Sequence, residues 1–88
     1  MKQIFNIAYY KEEDWNKFLD SIDDRDSMHE TWHEWHESYI KARNGLKAHG
    51  VKVRQIIVDI DELQQYCIDK GIKNNGQARS IFVSLKKR

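Results

Sequence analysis

From Gln3 to Tyr9 the larger apolar side chains alternate with smaller or polar ones, the two-residue period of a strand. The period then lengthens. Trp15, Phe18, Leu19 and Ile22 recur at i, i+3, i+4 and i+7 within Glu12 to Ile22, which predicts a helix with one buried face. Glu12, Glu13 and Asp14 would place negative charge at the positive end of its dipole. After a polar connection at Asp23 to Asp26, Ser27 and Glu30 have the spacing of a capping box and predict a second helix starting at Met28. Its apolar seam, Met28, Trp32, Trp35, Tyr39, Ala42 and Leu46, continues past Asn44-Gly45, so the helix should run on to a C-terminal glycine at Gly50.

Val51 to Val58 alternates at first and ends in a solid aliphatic run, as a strand entering a core does. Asp59 and Glu62 form an N-cap pair, Leu63, Tyr66 and Cys67 an apolar face, and Gly71 a stop for a third helix. Ile72 to Gly76 reads as a turn. A fourth helix follows from Gln77 to about Lys86, with Ala78, Ile81, Phe82 and Leu85 inward. The order β-α-α-β-α-α predicts a two-layer α+β fold with a minimal two-stranded sheet, in a single domain over residues 1–88. Two strands are marginal by themselves. Pairing with a second subunit would give a four-stranded sheet, so a homodimer is expected.

Composition narrows the classes. With 40% hydrophobic and 33% charged residues the chain reads as a small globular domain, and its longest aliphatic run, Ile56 to Val58, is far short of the ~18 residues of a membrane span. Met1 to Tyr10 lacks the features of a signal peptide, and one cysteine, Cys67, suits a reducing compartment, so a cytoplasmic protein is expected. Cys67 reads as a small buried hydrophobe rather than a nucleophile. The net charge of +1 hides a division: residues 1–37 hold ten acids and four bases, residues 38–88 eleven bases and four acids. Such polarity either holds the two halves together or steers an acidic partner to the second.

One segment carries possible chemistry. His29, Glu30 and His33 spell H-E-x-x-H, which on a helix sets two imidazoles on one face for Zn²⁺ and leaves the glutamate as general base of a metallohydrolase. The third ligand is missing. His36 lies about 10.5 Å from His29 along such a helix and His49 about 24 Å from His33, leaving Asp59, Asp61 or a second subunit. Glu30 with His33 also matches the E-x-x-H half of a di-metal carboxylate site, which only a symmetric dimer would complete. Half-exposed histidines without a metal, and therefore no cofactor, is the plainer reading. In the C-terminal helix pair, Gln77, Arg79 and Ser80 near the start and Lys86, Lys87 and Arg88 at the end suggest a helix-turn-helix binding nucleic acid, although a basic helix end also simply complements the dipole. Trp32, Trp35 and Tyr39 are candidates for anchoring a partner.

Thr31-Trp32-x-Glu34-Trp35, Gly50-Val51-x-Val53, Asp59-Ile60-Asp61-Glu62-Leu63 with Tyr66-Cys67, and Gly76-x-Ala78-Arg79-Ser80-x-Phe82-Val83 together form a pattern over most of the chain. In it the chain resembles a group of short bacterial proteins of unknown function. The resemblance implies no activity, cofactor or catalytic residue, and histidine at 29 or 33 is not part of the pattern. The expectation from sequence is a small non-catalytic cytosolic domain that interacts with protein, with nucleic-acid binding and a zinc site as alternatives.

Overall fold

The computed structural model describes residues 4–86. Its elements are β1 (Ile4–Tyr9), α1 (Trp15–Ser21), α2 (Trp32–Ala48), β2 (Lys52–Ile57), α3 (Ile60–Lys70) and α4 (Gly76–Ser84), with single 3-10 turns at Glu12–Asp14 and Arg25–Ser27. The α+β order expected from the sequence is the one found. Gln3, where the first strand was expected to begin, and Lys87 and Arg88 lie outside the described residues.

The strands are parallel, in register from Ile4 opposite Lys52 to Tyr9 opposite Ile57, with α1 and α2 forming the crossover that a parallel pair needs. Paired residues share a face. Phe5, Ile7 and Tyr9 therefore lie with Val53, Gln55 and Ile57 on one side, and Ile4, Asn6 and Ala8 lie with Lys52, Arg54 and Ile56 on the other. Helix α2 covers the first face, where the Tyr9 ring sits 5.6 Å from Trp35 and 5.2 Å from Tyr39, and the Tyr39 hydroxyl donates to Gln55 Oε1. Helix α4 covers the second. Asn6 Nδ2 donates to the carbonyls of Val83 at 2.9 Å and Lys86 at 2.8 Å, satisfying acceptors that the end of α4 leaves open.

The core gathers where β1 ends. Tyr10 stacks on Phe18 at 4.1 Å and meets Trp35 at 5.2 Å, while Phe18 and Leu63 have no exposed surface. Two helices stop at glycines in the left-handed region, Gly50 (φ 80°) and Gly71 (φ 65°). At each the two following hydrogen bonds close a Schellman motif: Gly50 and Val51 donate to Lys47 and Leu46, and Gly71 and Ile72 donate to Ile68 and Cys67.

The start of α2 departs from expectation by four residues. Thr31, not Ser27, is the cap: its Oγ1 accepts the Glu34 amide at 3.1 Å while Glu34 Oε1 accepts the Thr31 amide at 3.4 Å. Both S-x-x-E and T-x-x-E occur here, and tertiary contacts select the second. Trp15 Nε1 donates to the Glu30 carbonyl and Trp32 Nε1 to the Tyr10 carbonyl, so Glu30 to Trp32 are held non-helical or just entering the helix. Removing the cap with Thr31→Ala is expected to cost about 1 kcal/mol in urea unfolding. A Ser27→Ala control should change little, because Ser27 caps no helix.

Helix α4 is rotated relative to the expected face. Ala78 and Phe82 point inward as anticipated, but Arg79 and Val83 are buried beside them, and Ile81 and Leu85 are exposed. A buried ion pair at Arg79 sets this rotation. In α2 the expected seam is spent unevenly: Trp35 and Tyr39 are buried, whereas Ala42 is exposed and Met28 precedes the helix.

Candidate interaction surface

The shifted start of α2 separates the histidine string. His29 lies in the irregular segment before the helix and His33 one residue beyond the first helical position, so they do not share a helical face as the zinc reading required. His33 is 78% exposed and turns its Nε2 to Glu12 Oε2 at 3.5 Å. Glu30 is exposed and pairs with Arg25 at 3.1 Å, which removes it from the place of a general base between the two imidazoles. The proposed third ligands are occupied as well: Asp59 caps α3 by accepting the Glu62 amide, and Asp61 pairs with Lys17 at 2.8 Å. His36 stacks on Trp32 at 4.5 Å, and His49 Nδ1 lies 2.8 Å from the Gly45 carbonyl. Among the described residues no three histidine, cysteine, aspartate or glutamate side chains converge to hold a metal ion.

The nucleic-acid candidates are also dispersed. Lys86 Nζ pairs with Glu62 in α3 at 2.6 Å, and Gln77 is exposed near the start of α4. Arg79 is 6% exposed and cannot reach a phosphate. Its Nη1 and Nη2 donate to Asp24 Oδ1 and Oδ2 at 2.9 and 2.8 Å, a bidentate pair, and Nη1 also reaches the carbonyl and side-chain oxygens of Asn74. The connection between α1 and α2 is thereby fastened to the turn between α3 and α4. Asp24 Oδ2 accepts from the Gly76 amide, and Asp23 both accepts the Asn74 amide through its side chain and donates its own amide to the Asn74 carbonyl. Hydrogen bonding from Arg79 holds the Asp24 carboxyl below its usual range. Beside the pair, burial pushes the Tyr10 hydroxyl up to about 12, against the pull of the Arg79 charge.

The aromatic interface candidates serve the chain itself. Trp35 and Tyr39 are buried against Tyr9 and Tyr10, and half-buried Trp32 is fixed by its indole N–H on Tyr10. Cys67 is buried, and burial raises its thiol, the behaviour of a packing residue and not of a nucleophile. No helix of the described residues is long and apolar enough to cross a membrane.

Both outer edges of the two-stranded sheet lack a strand partner among the described residues, and the one along β1 runs beside a groove. The Tyr9 carbonyl accepts the Val58 amide at 3.0 Å, so the odd-numbered residues of β1 turn their backbone groups to β2 and the even-numbered ones turn theirs away. At Tyr10 the outward carbonyl is taken by Trp32. At Asn6 and Ala8, among the described residues, no partner meets the outward N–H and C=O. A groove of about 600 Å³ follows this edge between residues 4–8 and Ser80, Ile81 and Ser84 of α4. Around it stand large apolar side chains in water: Ile4 at 53% exposure, Phe5 at 54% and Ile81 at 44%. The edge is also unguarded by charge, since Ile4 to Tyr10 contains no acid, lysine or arginine, whereas β2 carries Lys52 and Arg54.

Sequence periodicity foresaw a marginal sheet but not which edge would border an apolar groove. The signal for it was the absence of a gatekeeping charge in Ile4 to Tyr10. Comparison with known protein families, with curated proteins and with solved structures finds no match for the chain.

Proposed function

We propose that the chain is a non-catalytic protein-interaction module whose working surface is the open edge of β1 with the apolar groove between that edge and α4. The observation that carries this reading is the conjunction of outward backbone groups at Asn6 and Ala8 with exposed Ile4, Phe5 and Ile81 around one groove. Backbone groups supply affinity to an added strand, and pockets for alternate side chains supply its selectivity. The dispersal of His29, Glu30 and His33 leaves a hydrolase without its constellation, and the sequestered Arg79 removes a central contact from a recognition helix. Work in the cytoplasm accords with the buried, unpaired Cys67.

The test places a guard on the edge. Ile4→Lys adds a charge at an exposed position, and Ala8→Pro removes an N–H that β2 does not use. Light scattering at micromolar concentrations and titration with neutral strand peptides should show association of the parent chain with itself or with a peptide. Both variants should keep the parent circular dichroism and lose that association. A parent chain that binds neither itself nor any strand peptide overturns the reading.

A further inference from the structure

We infer that the strand received by this edge is β1 of a second copy, added antiparallel about a two-fold axis at Asn6, so that the dimer holds one continuous four-stranded sheet, β2-β1-β1-β2. The inference rests on the reading of the edge as a docking surface and names its occupant.

Charge gives the first reason. Self-pairing about Asn6 sets each residue of Ile4 to Ala8 against another member of the same uncharged segment, so no like charges oppose each other along these five positions. A symmetric contact through the other edge centred on Val53 would set Lys52 directly opposite Arg54 of the partner subunit, like charge against like.

Size gives the second. With Asn6 opposite Asn6 of the partner subunit, Ile4 falls opposite Ala8 of the partner subunit, and Phe5 falls opposite Ile7 of the partner subunit on the other face. The two most exposed side chains of the strand thus each meet a smaller neighbour. The even-numbered residues already face outward, so the three pairs would exchange about six backbone hydrogen bonds without disturbing the bonds to β2. The residue on the axis is suited to its place: the Asn6 amide is already satisfied by the carbonyls of Val83 and Lys86, so neither copy brings an unpaired amide N–H group to the junction. Since α4 lies on the same face as Asn6 and beside the groove, Ile81 is carried toward the junction from both copies. A C2 interface requires one patch complementary to itself, and this strand and helix meet that condition.

The geometry is tested by disulfide formation on a Cys67→Ala background. Phe5→Cys mixed with Ile7→Cys should give a covalent heterodimer, because residues 5 and 7 lie directly opposite at the closer, non-hydrogen-bonded spacing. Phe5→Cys alone should not cross-link, since two copies of residue 5 fall beyond the reach of a disulfide. If the cysteine variants fail to fold, amide exchange in the unmodified chain decides: the Asn6 and Ala8 amides should slow at high concentration and quicken on dilution, with the Ile7 amide unchanged. Cross-linking of Phe5→Cys with itself as readily as in the mixture overturns the register. A monomeric chain that binds an unrelated strand peptide as tightly as a Gln3–Lys11 peptide overturns self-recognition but leaves strand docking standing. Absence of all association overturns both.

Discussion

Arg79→Ala is expected to lower the unfolding free energy by about 3 kcal/mol, the lower end of the range for removing one member of a buried ion pair because Asp24 keeps some contact with water. The loss has identifiable parts: Asp24 is left with an uncompensated charge, Asn74 loses the donor to its carbonyl and side-chain oxygen, and the guanidinium no longer sits 5.4 Å from the Phe18 ring. Replacing both partners, Arg79→Met with Asp24→Leu, should cost much less than Arg79→Ala alone, since no buried charge remains. What deficit persists measures the Gly76 amide that Asp24 accepts together with the Asn74 oxygens that Arg79 served. The pair has an acid signature. Asp24 titrates in the folded chain below its ordinary value of 3.8, so its contribution is complete above that value and is lost as pH falls through the folded pKa. Urea unfolding from pH 7 down to pH 2 should show this loss in the parent and not in Asp24→Asn.

The second large effect lies at the alkaline end. Tyr10 titrates near 12 in the folded chain against 10.0 for an exposed tyrosine, because burial disfavours the phenolate. Above pH 10 the unfolded chain releases this proton while the folded chain keeps it. The contribution of Tyr10 to stability should therefore be constant below pH 10 and fall by roughly 3 kcal/mol as pH rises to 12, two pKa units at ~1.4 kcal/mol each. Tyr10→Phe should remove most of that fall, because no hydroxyl then needs to ionise. An equally steep alkaline loss in Tyr10→Phe would assign the effect to other groups.

Periodicity placed both strands and all four helices because each rests on a local rule: alternation in β1, a cap at Asp59, a glycine stop at Gly50 and Gly71. It misplaced the start of α2 because two capping boxes compete within eight residues, and the choice is made by Trp15 and Trp32, whose indoles donate to carbonyls far away in sequence. The same shift dissolved the apparent metal motif, whose whole geometric case was that residues 29 to 33 be helical. Arg79 was read as a surface contact because a wheel has no means of knowing that Asp24, fifty-five residues earlier, waits for it. Residues of the motif pattern quoted from the sequence have structural uses here: Thr31 and Glu34 cap α2, Trp35 fills the core, Asp59 caps α3 and Arg79 fastens two connections. The open edge was legible only in part, since alternation identifies a strand but not its neighbours.

The pairing of Ile4 with Lys52, together with the bonds from Asn6 to Val83 and Lys86, fixes the order in which this chain can be completed. On the ribosome β1 is made first and can pair with β2 only after residue 57 has been joined, and Asn6 can close onto α4 only after residue 86 has been. Contacts of such sequence separation slow folding even in a mostly helical chain. Throughout that interval both edges of an uncharged strand lie bare, so nascent and newly released chains are the form of this protein in which mispairing, and rescue by chaperones that hold extended apolar segments, will be decided.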